Sequence, residues 1–345
     1  MKLKDNMQGF RELCFGKEEL PKVVLDVIAK ENLWNLWVPK LYGGLEMTLT
    51  NGLKSLRHLA QMDGSLGWTV TLCSGANFFI GNLPKETAND IFIDPKEPIC
   101  FGGSGGVSGT AERKGEGYTI KGTWKYATGA PYLTHFTLSA KIQERGKDVL
   151  DEEGMPLVRS FVLDRKDVNI IRDWNTMGLK ATATHSFVVS SVWAHEKYSF
   201  VYNQWYHPQN IFKIPFGVFA DLTLWVNYVG MAAHFLEEAK LVVNKSGTLD
   251  KLASVISQSD AKILSWAGQA EDKIYLSDGF PEDWIGDIHL EASTSVKTIS
   301  ECIIGIYPLL GIRGCSEKHQ LNQVFRDYFT ATQHHIFSTK TVKGQ

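Results

Sequence analysis

The run "IPFGVFADLTLWVNYVGMAAHFL", Ile214 to Leu236, constrains this chain more than any other stretch. It is long and apolar enough to cross a bilayer. Yet it carries Asp221, Asn227 and His234 and runs directly into the charged "EEAK". Such groups are costly in a lipid-facing helix, whereas a helix surrounded by other helices has the same composition. The run therefore predicts the core helix of a bundle, with no membrane as partner.

Periodicity extends that reading in both directions. From about 210 onward the spacing is helical, with expected helices at Phe216–Lys245, Lys251–Leu276, Pro281–Tyr307 and Lys318–Thr341. Four long helices with short connections make an antiparallel bundle. Residues 18 to about 98 are also helical: Val23, Val24, Val27, Ile28 and Leu33 recur at helical spacing, and "LPKETANDIFI" has a Pro-led start. Between about 99 and 202 the period falls to two. "GTAERKGEGYTIKGTWKYATG" reads as two strands around "KGEG", and "HFTLSAKI", "RSFVLDRKDVNII" and "HSFVVSSVWAHEKYSF" continue as strands. Evenly spaced short strands suggest a small barrel or sandwich. The predicted class is α+β, mostly α, with a helical domain at 1–98, a β-barrel domain at 99–205 and a four-helix bundle at 206–345.

A length of 345 residues, 43% hydrophobic and 21% charged, allows a full core. The formal net charge of -2 gives no reason to expect nucleic acid. Five scattered cysteines without a C-x-x-C suit free thiols in a reducing compartment, and the N-terminus shows no apolar signal segment. A cytoplasmic protein with no metal site is expected. Several motifs fail. "FGGSGGVSG" lacks the G-x-G-x-x-G spacing and leads into strands, and neither H-E-x-x-H nor G-x-S-x-G occurs. Glycines there still let a ligand approach the backbone, so Phe101, Gly102, Gly103 and Ser104 are carried as candidate cofactor contacts.

Longer segments carry a resemblance. "LWNLWVPKLYGGLEMT", "LAQMDGSLGWTVTL" and "NLPKETANDIF" resemble the N-terminal helical domain of the acyl-CoA dehydrogenase superfamily. "GTAERKGEGYTIKGTWKYATGAPYLTHFTLSA" and "MGLKATATHSFVVSSVWAHEKYSF" resemble its middle β-domain, and "LLGIRGCSEKHQLNQVFRD" the segment before its last helix. The match is colinear over nearly the whole chain, with shorter opening helices. It implies an acyl-CoA dehydrogenase-like fold, a flavin at the junction of the three parts and a homo-oligomer, commonly a tetramer.

The departures decide the subgroup. Fatty-acyl dehydrogenases place a glutamate base a few residues past "RD"; here that position falls at His335, give or take one, and no acidic residue follows Asp327. The early bundle helix, where some members carry an alternative glutamate and typical members a CoA-contacting arginine, offers Asp221 and no basic residue. The R-x-x-F-G that grips the flavin pyrophosphate is missing from "NKSGTLDKL". The chain instead resembles the flavin-dependent monooxygenase branch that includes 4-hydroxyphenylacetate hydroxylase oxygenase components and dibenzothiophene monooxygenase. There G-x-W-x-[FY]-[AC]-[ST]-G and R-[DN]-x-x-[TA]-x-x-x-H recur. Here they read Gly122 to Gly129, through Trp124, Ala127 and Thr128, and Arg326 to His334.

On a continuous helix Asp327, Thr330 and His334 form one polar stripe, and His335 points about 100° away. His334, His335 and Thr128 are the catalytic candidates: an imidazole that titrates near neutrality, and a hydroxyl at the flavin. A packed histidine pair at an interface and a strand-end turn at Thr128 are the plainer readings. Trp124 reads first as a core residue and second as a flavin contact. Ala127, Thr128, Gly129, Gly311, Arg313 and Gly314 complete the cofactor set, with Arg313 supplying the missing charge. Asn77, Asp221 and Trp225 are the substrate candidates. The resemblance implies a flavin, FAD or FMN, arriving reduced from a separate NAD(P)H:flavin reductase, and a small aromatic or heterocyclic substrate. A dehydrogenase-like desaturase with an unusual base and a flavin-free scaffold are the alternatives.

Overall fold

A computed structural model describes residues 6–244, 246–277 and 279–337. Five helices open the chain: α1 (Met7–Cys14), α2 (Lys22–Lys30), α3 (Leu49–Met62), α4 (Gly64–Asn77) and α5 (Lys85–Phe92). One aspartate makes the α3–α4 corner. Asp63 ends α3 in extended backbone and its carboxylate accepts the Leu66 N–H, which starts α4.

Eight strands follow: β1 (Phe101–Lys114), β2 (Gly117–Ala127), β3 (His135–Glu144), β4 (Lys147–Asp148), β5 (Val158–Asp164), β6 (Asn169–Ile171), β7 (His185–His195) and β8 (Ser199–Phe200). The β1–β2 hairpin turns at the "KGEG" read from the sequence, with Gly115 in the left-handed region at φ 61°. The barrel expectation is corrected. The strands form one sheet in the order β6-β7-β2-β1-β3-β5-β8, with β4 on β3, and β1–β3 is its parallel pair. Its edges are three and two residues long, too short to build a closing ladder.

The second helical part comprises α6 (Phe216–Lys240), α7 (Gly247–Leu276), α8 (Glu282–Ile306), the short α9 (Ile312–Cys315) and α10 (Gln320–Ala331). The apolar run is α6: it has the length and hydropathy of a membrane span, but 83% of its apolar window is buried within the protein. α3, α7, α8 and α10 all pack on it. The fourth bundle helix is therefore shorter than its period suggests. A continuing helix would offer the Ala331 carbonyl to the N–H of residue 335. Here that carbonyl already accepts the Tyr228 hydroxyl at 2.6 Å and the His334 N–H at 2.9 Å, so the chain leaves the helix. Residues 338–341 of the expected helix lie outside the described residues.

Candidate active site

The exit from α10 places the histidine pair. His334 sets its ring edge-on to Trp68 of α4, with centroids 5.6 Å apart, and Trp68 in turn meets Tyr228 of α6 edge-on at 6.0 Å. The Ile336 N–H reaches His334 Nδ1 at 3.4 Å. Burial, with a smaller push from neighbouring His335, takes the His334 pKa down to about 4, so the ring is neutral at pH 7. The 100° divergence expected on a helix is not found: the two rings lie 4.5 Å apart, tilted 35°. His335 is the exposed member.

A second imidazole enters from α8. His289 Nδ1 lies 3.1 Å from Asp221 Oδ1 of α6, and Phe337 seats its ring 5.8 Å from His289 and 5.7 Å from Tyr228. Asp221, a substrate candidate, thus shares one aromatic cluster with both terminal histidines. Trp225 does not: it is fully buried, with its indole N–H on Ser295 Oγ at 2.9 Å. Asn77 is likewise structural, bonded to Asn35, the Ile99 carbonyl and the Phe101 N–H. Its amide ties α4 to β1 and has no surface left for a substrate.

The expected polar stripe splits. Asp327 turns toward the 177–184 loop and accepts the Leu179 N–H at 2.5 Å. Burial and the charge of Asp63 raise its pKa to about 8, and Gln323 bonds Asp63 beside it. Gly178 lets this loop touch the α10 backbone; a Cβ there would lie 2.2 Å from the Arg326 carbonyl. Thr330 Oγ1 and Arg326 Nε are buried without a hydrogen-bond partner, while Arg326 also donates to the Met177 carbonyl at 2.7 Å.

The sheet meets the same loop. Thr128 Oγ1 lies 3.1 Å from Thr184 Oγ1, which lies 2.7 Å from Thr182 Oγ1. Gly129, at φ 74°, receives the Thr182 carbonyl on its N–H at 2.8 Å. Tyr126 is held at φ 67° with its ring two-thirds exposed beside Trp174. The strained residue sits where the β2–β7 register slips between Trp124 and Ala127. Ala127 is buried next to it.

Other candidates belong to the core. Trp124 is fully buried, stacked on Phe187 at 5.5 Å with its N–H on the Ser139 carbonyl, so the flavin contact carried for it has no free face. Phe101 is equally buried, between Phe92 and His135. Gly102 and Gly103 are close-packing glycines, their absent side chains replaced by Leu133 and the Thr137 carbonyl. Ser104 is half-buried at an irregularity of β1. Gly311, Arg313 and Gly314 lie at the far end of the bundle. The first two are exposed, and the Gly314 carbonyl is taken by Asn322.

Two surface concavities stand apart from this chemistry. A groove of about 640 Å³ runs along the sheet past Lys121, Lys141 and Ser190, and one of about 450 Å³ separates α7 from α8. Neither reaches His334; the aromatic cluster around it is filled by its own rings. The unmet Thr330 hydroxyl and Arg326 Nε are donors of the kind that a flavin's carbonyl and ring-nitrogen acceptors fit. No motif marked Trp68, Tyr228, His289 or Phe337 in the sequence.

No protein-family model matches the chain. It is 25% identical to an indole-3-acetate monooxygenase of Pseudomonas putida over 95% of this chain and 86% of that protein. A protein of the same name from Acinetobacter baumannii is 24% identical, over 93% and 85%. The HsaA oxygenase subunit of a flavin-dependent monooxygenase from Rhodococcus jostii is 23% identical over 67% of this chain and 63% of that one. Among solved structures, XiaF from Streptomyces sp., in complex with FADH2 and glycerol, superposes with a TM-score of 0.86 at 19% identity, covering 97% of this chain and 90% of that one. TdsC from Paenibacillus sp. with FMN and indole gives 0.80 at 18%, covering 96% and 92%.

Proposed function

We propose that this chain, a flavin-dependent monooxygenase homologue with the acyl-CoA dehydrogenase-like fold, is the oxygenase component of a two-component system acting on a small aromatic or heterocyclic substrate. Its reduced flavin comes from a separate NAD(P)H:flavin reductase, in keeping with relatives named as oxygenase subunits and components. The single observation that carries the reading is His334. Where a thioester desaturase needs a carboxylate base, this chain presents a neutral imidazole at the edge of an aromatic cluster.

When bound, reduced flavin supplies the two electrons with which one atom of O2 enters the substrate and the other leaves as water. The chain's residues do the rest. With Nδ1 accepting the Ile336 N–H, neutral His334 keeps its proton on Nε2 and donates it to an oxygen brought to the ring. Trp68 and Tyr228 keep the His334 ring in apolar surroundings and exclude water from it. Thr128, Arg326 and Thr330 hold the flavin between sheet and α10, and Tyr126 covers its exposed edge; the unpaired donors on α10 support this assignment. Arg313, exposed at the far end of the bundle, is left out of this set. Outward Ile304, Leu309 and Ile312 support assembly into a homo-oligomer, a tetramer in this reading, in the cytoplasm.

The test is isotopic. The purified chain, a flavin reductase, NADH, FMN or FAD, and 18O2 are incubated with indoles and phenols. One labelled oxygen in the product is expected by mass spectrometry, and flavin oxidation without label in any substrate would sink the proposal.

A further inference from the structure

Cys73 and Cys100 are distant in the sequence and neighbours in the fold. Asn77 of α4 makes them so. Its amide donates to the Ile99 carbonyl at 3.0 Å and accepts the Phe101 N–H at 2.6 Å, clasping the backbone on both sides of Cys100. Cys73 stands one helical turn before Asn77 on the same face, and helical side chains lean back over that turn. Thr134 holds Cys100 from the other side. Its hydroxyl accepts the Cys100 N–H at 3.0 Å, and its own N–H donates to the Cys100 carbonyl at 2.9 Å. Between these clasps the Cys73 thiol is the side-chain hydrogen-bond partner of the Cys100 thiol. Both are buried, at 0% and 1% exposure.

The pair also touches the turn that carries Thr128. Cys73 Sγ donates to the Thr128 carbonyl at 3.7 Å, and a Cβ on Gly129 would lie 3.0 Å from that sulfur. The remaining cysteines have other neighbours. Cys14 lies beside Asp63 and Asp327, Cys302 near Lys251, and exposed Cys315 on the Tyr307 hydroxyl at 3.3 Å. Cys73, against the turn, is the thiol that an oxidant formed there meets first, and Cys100 stands behind it.

We infer that Cys73 and Cys100 are a modification site for hydrogen peroxide, which closes them into a disulfide joining α4 to the start of β1. The Cys73 sulfur attacks one peroxide oxygen, the O–O bond breaks, and water leaves a sulfenic acid on Cys73. The Cys100 sulfur then attacks that sulfur, the S–O bond breaks, and a second water departs with the last thiol proton. Two thiols are oxidised and one peroxide is reduced. Reduced flavin that meets O2 without transferring oxygen to a substrate yields this peroxide beside the Thr128 turn. For that source alone the inference rests on the monooxygenase reading.

The test supplies the peroxide directly. The full chain, reduced and freed of added thiol, is exposed to hydrogen peroxide in stepwise excess and quenched with catalase. It is then unfolded in urea with N-ethylmaleimide and digested by trypsin without reductant. Cleavage after Arg57, Lys85, Lys96 and Arg113 leaves the two cysteines on separate peptides. Mass spectrometry is expected to find these peptides joined, lighter than their sum by a pair of hydrogens. Their maleimide adducts should disappear in parallel and return with dithiothreitol. Recovery of both adducts while Cys315 oxidises overturns the inference, and so does equal joining of either peptide to Cys14, Cys302 or Cys315. Cys100→Ala should stop at a dimedone adduct on Cys73. Cys100 oxidising at the wild-type rate in Cys73→Ala overturns the assigned order. Should a variant fold poorly by circular dichroism, the wild-type linkage decides alone. The isotope experiment stays independent: labelled product without the linked peptide ends this inference only, and the linked peptide without label ends only the oxygenase.

Discussion

Two aspartates flank the same helix bundle, and they teach different things. Asp327 is sealed between α10 and the 177–184 loop, with its pKa raised to about 8 and the Leu179 N–H as partner. Asp221 is nearly as buried and also raised, yet its partner is a half-exposed imidazole. Burial perturbs both carboxyls. What separates a structural joint from a site residue is whether the hydrogen-bond partner faces solvent. A shifted pKa alone does not tell the two apart.

The strongest challenge to that contrast is removal of each group. Asp327→Ala leaves a buried Leu179 N–H without an acceptor and should cost about 3 kcal/mol of stability. Urea unfolding reads this, and a loss below about 1 kcal/mol would mean that the joint is not sealed. Asp327→Asn should be milder, because an amide oxygen still accepts and the repulsion from Asp63 disappears.

His334→Ala comes next. Product formed per flavin oxidised should fall about a hundredfold with little change in unfolding midpoint, since the ring makes one long hydrogen bond. A structural role would reverse the pattern, with the midpoint dropping and coupling intact.

The pH profile then sharpens the comparison. Asp327 has a folded pKa above its unfolded one, so its favourable contribution is full below the ordinary carboxyl pKa of 3.8 and declines as pH rises, until it levels off above about 8. Wild type should lose stability across that window, and Asp327→Asn should flatten the slope. Asp221→Asn should flatten the slope in the same direction, because burial raises its pKa and His289 offsets only part of that. The smallest effect is expected at Thr128→Val, which breaks the hydroxyl contact to Thr184 and should cost about 1 kcal/mol by thermal melting.

Much of the fold was legible because periodicity reports burial. The change from helical to alternating spacing and back located all three regions, and the polar residues in the α6 run spoke for a bundle core. The long strands were readable, but the short β4, β6 and β8 were missed or merged with their neighbours, and whether the sheet closes depends on edge pairing that local pattern does not encode. Of the candidate site, the resembled R-[DN]-x-x-[TA]-x-x-x-H motif named His334, and the polar stripe drawn through it does not hold. It assumed a helical face, whereas His334 reaches Trp68 because Tyr228 stops α10 at Ala331. Trp124 was named by its motif, and Trp225 and Asn77 by their places in helices, and the polar atoms of all three are consumed by the core.

By itself the sequence determined the elements, their order and the replacement of a carboxylate by an imidazole near the end of the chain, because all of these are local or colinear properties. Tertiary structure alone decided which polar groups remain accessible. His289 and Asp221 are 68 residues apart, and a pairing between two helices of that separation follows from how they pack, which no short stretch of either one records.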